Sequence, residues 1–117
     1  MNKRTVGTKF EQIAAEFLQK NGYEILEFNF RSRQGEIDLI AREEEYLVFV
    51  EVKYRSNLKS GMPQEAVDLK KQRIISKVAT YYCMKNNCFD TVPTRFDVVA
   101  ILEDEIKLLK NAFEYIP

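Results

Sequence analysis

Hydrophobic positions recur along this chain with two different periods, and the switches between them lay out its elements. Phe10, Ile13, Ala14, Phe17 and Leu18 fall at i, i+3, i+4, i+7 and i+8, one apolar stripe on a helix, and Asn21-Gly22 supplies its stop. Tyr23, Ile25, Phe28 and Phe30 then mark a strand reaching Arg31, and Arg31 to Gly35 reads as a turn. Two strand-length apolar segments follow, ending at Ala41 and starting at Leu47, around the charged turn Arg42 to Glu45, which predicts a β-hairpin. Leu47 to Val52 is nearly all apolar, as expected of a strand covered on both faces. Asn57 to Met62 reads as a loop. Pro63 is placed to open a long helix, with Val67, Ile74, Val78 and Tyr81 as its inner stripe and Ala66, Ile75, Ala79 and Tyr82 widening it. Arg95 to Leu102 is another strand, Glu103 to Glu105 a turn, and Ile106 to Leu109 a short final strand. The order of helix, three strands, helix and two strands predicts an α/β fold, an α/β/α sandwich around a mixed central sheet. At 117 residues it forms one domain, 1–117.

Charges interrupt this pattern where it is most apolar. Glu51 lies inside the buried strand and Lys53 at its end; by strand alternation they share one face, while Val50 and Val52 take the other. Asp38 sits between Ile37 and Leu39 in the partner segment. A lone charge in a buried strand is costly unless it is paired or bound to a metal. One reading is a satisfied ion pair with Asp38 accepting backbone hydrogen bonds. The other is a site: an acid, twelve intervening residues and then Glu51-Val52-Lys53 is the arrangement of a metal-dependent phosphodiesterase.

Gly35-Glu36-Ile37-Asp38-Leu39-Ile40, then Phe49-Val50-Glu51-Val52-Lys53-Tyr54-Arg55, then Arg95-Phe96-Asp97-Val98-Val99 resemble the PD-(D/E)xK nuclease superfamily. More closely, they resemble its YraN-like family of small bacterial endonuclease-like proteins, relatives of the archaeal Holliday junction resolvases. The likeness runs from about Gly7 to Phe113. It implies a restriction-endonuclease-like fold and hydrolysis of phosphodiester bonds in DNA, including branched structures. It also implies a homodimer and Mg2+ (or Mn2+) held by Asp38, Glu51 and the backbone carbonyl of Val52. Lys53 would orient the attacking water or neutralise charge, since an ordinary lysine pKa of about 10.4 makes it a poor base. Relatives place an acid on the first helix, which draws attention to Glu11. Thr8-Lys9-Phe10-Glu11 also has the form of a capping box, in which Glu11 caps the helix.

Composition narrows these readings. Lys plus Arg and Asp plus Glu each number 18, so net charge is zero, unlike most stand-alone nucleic-acid enzymes. Basic residues nonetheless gather between Lys53 and Lys77, and acids at Glu43 to Glu45 and Glu103 to Glu105. Arg31 and Arg33 beside the hairpin, Arg55 after it, and Lys70, Gln72 and Arg73 on the second helix are the candidate phosphate contacts. Glu36 shares the strand parity of Asp38, and Asp97 is expected to support structure or an interface rather than a metal. The absence of histidine excludes Ser-His-Asp chemistry and histidine zinc sites. Cys83 and Cys88 match no zinc or redox spacing and are expected to be free thiols. No apolar run approaches a membrane span of about 20 residues, and the polar start shows no signal peptide, so a cytoplasmic location is expected. Two alternatives accompany the nuclease reading: a non-catalytic nucleic-acid-binding module on the nuclease fold, and an interaction protein in which Asp38, Glu51 and Lys53 form a salt-bridge network.

Overall fold

The computed structural model describes residues 3–54, 67–88, 90–103 and 105–117, and of residues 3–8 only the helical backbone. The elements follow the expected order: α1 (Lys3–Lys20), β1 (Glu24–Arg31), β2 (Glu36–Glu43), β3 (Tyr46–Tyr54), α2 (Leu69–Lys85), β4 (Thr94–Ile101) and β5 (Ile106–Phe113). The five strands form one sheet in the order β1-β2-β3-β4-β5. β3 and β4 run parallel and the other neighbours antiparallel, so the sheet is mixed. Parallel neighbours need a crossover, and α2 is its helix.

The two helices cover opposite faces. Ala14, Ala15 and Leu18 of α1 pack with Leu39, Ala41, Val48, Val50 and Val99. Ile75, Val78, Ala79 and Tyr82 of α2 pack with Ile37, Ile40, Leu47, Phe49, Phe96 and Val98. The protein is therefore the expected α/β sandwich around a mixed sheet. No helix among the described residues is long and apolar enough to cross a membrane.

Three details differ from the sequence pattern. α1 begins at Lys3, so Thr8 is inside the helix and Glu11 is no cap. α2 begins at Leu69, not at Pro63: Asp68 is its N-cap, extended at φ −75° and ψ 173°, and accepts from the Lys71 amide at 2.8 Å. Pro63 and Ala66 lie outside the described residues. The buried face lies one step from the expected stripe: Tyr81 turns outward, 47% exposed, and Ser76 and Cys83 join the buried residues. β5 continues to Phe113, four residues past the predicted end, because Lys107, Lys110 and Asn111 occur in an edge strand and hide its period. β1 shifts register between Ile25 and Glu27, and β5 between its partners Phe96 and Val98, close to Asn111.

Asp97 is fully buried and fully served. Arg95 Nε and Nη2 donate to its two oxygens at 2.9 Å each, the Tyr23 hydroxyl donates at 2.7 Å and the Asn111 amide at 2.9 Å. Arg95 also reaches Glu43, which accepts a second bond from Lys110. Burial works against the Glu43 charge, but the bonds from Lys110 and Arg95 outweigh it and hold its carboxyl below the ordinary value. This network joins α1's exit, β2, β4 and β5, confirming a structural part for Asp97.

Two stability changes follow. Asp97→Ala leaves Arg95 nearly buried without its main partner and is expected to cost about 3–5 kcal/mol. Gly35 lies so close to α2 that a Cβ would stand 2.6 Å from Ile74 Cγ2. Gly35→Ala is expected to cost about 1–3 kcal/mol through overpacking. Urea unfolding midpoints measure both.

Candidate active site

β2 and β3 are regularly paired from Glu43↔Tyr46 to Leu39↔Val50. The next step of that register would set Asp38 against Glu51. Instead the ladder ends, and Asp38 Oδ2 accepts the Val52 amide hydrogen at 2.8 Å. A side chain thus stands in for a backbone partner where the strands part. Strict alternation also fails here: Ile37 and Ile40 join the α2-side core, whereas Leu39 and Ala41 join the α1-side core. Opposite Asp38 on β1, between the pairs Phe28↔Leu39 and Phe30↔Ile37, is Asn29. Its φ is 51°, in the left-handed region that asparagine tolerates better than most residues. In that conformation its Nδ2 donates to Glu11 Oε1 at 2.7 Å.

Four acids therefore converge from three elements. Glu51 is 5% exposed and Glu11 8%, with Asp38 half-buried between them and Glu36 at the rim. Burial pushes the Asp38 carboxyl from 3.8 up to about 9, reinforced by the charge of Glu51 and by a hydrogen bond between the two carboxyls; the Val52 amide pulls the other way. Burial also raises Glu11, against the bond from Asn29, while Glu36 and Glu51 add repulsion. The compensating cations meet at one atom: Lys53 Nζ is 3.4 Å and Lys71 Nζ 3.7 Å from Glu51 Oε2.

The predicted residues fare unequally. Asp38, Glu51 and Lys53 come together, and Glu11 joins them through Asn29. Arg31 pairs with Glu36 at 2.8 Å on the surface, so that neither points freely toward a ligand. Arg33 is exposed with no partner among the described residues. Lys70 and Arg73 are exposed on α2, but Gln72 turns its amide to the Val67 carbonyl at 2.9 Å and fastens the helix start. Arg55 lies outside the described residues. Asn29 and Lys71 were not anticipated. A polar residue between Phe28 and Phe30 was the available signal for Asn29; the signal for Lys71 was its place four residues before Ile75 on the stripe Ile75, Val78 and Tyr82, which is the buried one.

No three acidic or thiol side chains among the described residues stand as a ready metal cage. A cavity of about 280 Å³ on the α2 side, lined in part by Phe49, Cys83, Cys88, Phe96 and Tyr115, includes neither Asp38 nor Glu51. Both cysteines are free thiols, as expected.

A model of the uncharacterised protein family UPF0102 matches residues 10–101, which contain every residue of this cluster. The chain belongs to the UPF0102 family. This is the YraN-like family expected from the motif pair. A UPF0102 protein of Lachnoclostridium phytofermentans is 52% identical over 114 residues, covering 97% of each chain. One of Caldicellulosiruptor bescii is 50% identical over 119 residues, covering 97% of this chain and all of its own. Another, of Clostridioides difficile, is 47% identical over 115 residues, with the same coverage.

The acid crowding of this UPF0102 protein has a measurable consequence. Between pH 3.8 and about 9 the folded chain keeps a proton on Asp38 that the unfolded chain has released. Its contribution is complete below that window and is lost as pH rises through it. In chelator, stability is expected to fall from pH 6 to pH 8. Asp38→Asn, which has no such proton to release, should flatten that slope and be the more stable protein at pH 8, as read by urea unfolding at the two pH values.

Proposed function

We propose that this protein is a divalent-metal-dependent nuclease that hydrolyses phosphodiester bonds in DNA. The observation that carries the reading is the meeting of Asp38 and Glu51. Two carboxyl groups are held against each other at a strand split, and among the described residues the cations at Glu51 address a single oxygen, Oε2. Such crowding is costly for folding alone and is relieved by a cation. The donors suit magnesium, which binds through one or two carboxylates and retains several waters, so no closed protein cage is required. Asp38 and Glu51 would hold it, with the Val52 carbonyl that the resemblance adds. When bound, it would stabilise charge on the phosphate and acidify a bound water.

The chain's own residues supply the rest. The Val52 amide fixes one Asp38 oxygen, so the carboxylate keeps its orientation without a rotamer search. Asn29 likewise fixes Glu11, which stands beside Asp38 as a further acceptor for a proton or a water. Lys53, mostly buried, positions the attacking water and balances charge in the transition state. The water oxygen bonds to phosphorus and gives up a proton, the bond to one bridging oxygen breaks and that oxygen takes up a proton, and the products are a phosphate end and a hydroxyl end. A single site cuts one strand; symmetric cutting of a branched substrate calls for two sites in a two-fold homodimer. The exposed Arg33, Lys70 and Arg73 supply phosphate contacts away from the cut.

The alternative of a non-catalytic binding module keeps one supporting fact, the zero net charge. The two readings separate on purified protein given four-way-junction, flap, single-stranded and duplex DNA with magnesium or manganese. Cleavage should appear for at least one substrate and fall about 10²–10³-fold or more in Asp38→Ala, Glu51→Ala and Lys53→Ala, with DNA binding retained. Binding without cutting of any substrate would turn the reading to the binding module. In parallel, magnesium at tenfold over its dissociation constant should stabilise the wild type by about 1.4 kcal/mol and leave Glu51→Ala unchanged. An unchanged wild type would remove the metal from the reading.

A further inference from the structure

Building on the nuclease reading above, we infer that Lys71 is a second catalytic cation. It is parked on Glu51 in the metal-free protein and transferred to the scissile phosphate once that carboxylate is given to a divalent ion. Lys53 and Lys71 address the same oxygen, Glu51 Oε2, at 3.4 and 3.7 Å. Both separations exceed the usual 2.7–3.2 Å hydrogen-bond range, so these are charge contacts rather than locked bonds. A buried carboxylate requires positive charge beside it, and here two ammoniums share the task.

The two lysines are mounted differently. Lys53 extends from the sheet with its side chain 24% exposed. Lys71 reaches in from the first turn of α2 with its side chain 39% exposed. Its backbone is fastened, since its amide donates to the Asp68 cap at 2.8 Å. Its ammonium has Glu51 as its one ion-pair partner among the described residues. A fixed Cα and a flexible four-carbon stem let the charge move by several ångströms without moving the helix.

Coordination of Glu51 by a divalent ion turns attraction for both ammoniums into repulsion. Lys53 is the less exposed of the two, 24% against 39% for Lys71, and stays with the sheet. Lys71 swings outward, toward the side from which exposed Lys70 and Arg73 meet the nucleic acid. The negative charge then within its reach is a phosphate oxygen of the bound strand. The protein thus holds its acids neutralised before metal arrives and gains a phosphate-binding cation when it does.

Lys71→Met, Lys71→Arg and a remote control, Lys20→Met, test this with two readouts that do not require turnover. Manganese affinity is measured by titration of the free protein. Affinity for four-way-junction DNA in calcium is measured as a function of salt. Removing a cation that competes for Glu51 should tighten manganese binding by about two- to fivefold in Lys71→Met. The same variant should bind DNA more weakly and with a salt slope smaller by about one. Lys71→Arg should restore DNA affinity, and Lys20→Met should match the wild type in both assays. Unchanged or weaker manganese binding in Lys71→Met, or an unchanged DNA salt slope, overturns the inference while leaving the nuclease reading standing. A wild type that binds no manganese overturns the nuclease reading, and this inference with it. Should Lys71→Met not fold, Lys71→Gln serves in its place and is judged by the same two readouts.

Discussion

The hydrogen bond from the Val52 amide to Asp38 is the interaction on which the rest of the site depends. It stands where the β2–β3 ladder ends, so one carboxylate both completes the backbone pairing and blocks its continuation. Because the strands part there, residues on either side of Asp38 serve different cores, and the carboxyl is reachable from α1 through Asn29 and Glu11. Glu51, which continued pairing would place directly opposite, is instead crowded against Asp38 and answered by lysines from β3 and α2. A single departure from sheet geometry thereby brings five elements, α1, β1, β2, β3 and α2, to one point.

The second buried acid centre makes the contrast plain. Asp97 faces the α1 side of β4 with both oxygens taken by Arg95, Tyr23 and the Asn111 amide. Nothing is left for a ligand, and its energy goes into joining strands. Glu51, on the neighbouring strand and the opposite face, has a hydrogen bond to the Asp38 carboxyl and, among the described residues, two ammoniums at 3.4 and 3.7 Å from one of its oxygens. Both centres are built on a carboxyl group at comparable burial, Asp97 in one and Glu51 in the other. What separates architecture from chemistry is whether the acceptor capacity is exhausted.

The frame of the molecule was legible in the order of its periods, because strand and helix patterns are each enforced by burial. Asp38, Glu51 and Lys53 stood out for a related reason: a charge in an apolar strand has few explanations. Asn29 was hidden, since its role rests on a left-handed backbone that residue type alone only permits. Lys71 was hidden by helix phase. The inner stripe drawn through Ile74, Val78 and Tyr81 passed Lys71 by; the buried stripe of Ile75, Val78 and Tyr82 runs back to Lys71, whose ammonium reaches Glu51. Glu11 was open to two readings, and the length of α1 removes the capping one. The end of β5 was obscured because an edge strand need bury only part of one face.

Those edges have a consequence for assembly. β1 and β5 border the sheet, and each carries a register shift together with an asparagine at positive φ, Asn29 at 51° and Asn111 at 54°. Bulged edges cannot offer a straight run of donors and acceptors to another strand. The register shifts therefore disfavour growth of the sheet by strand addition at both borders. A pairing of two copies through helices, side-chain surfaces or strand ends would leave each five-stranded sheet intact. Asn29, whose side chain orients Glu11, lies on one of these borders, so its left-handed backbone serves the acid cluster and roughens the sheet edge at once.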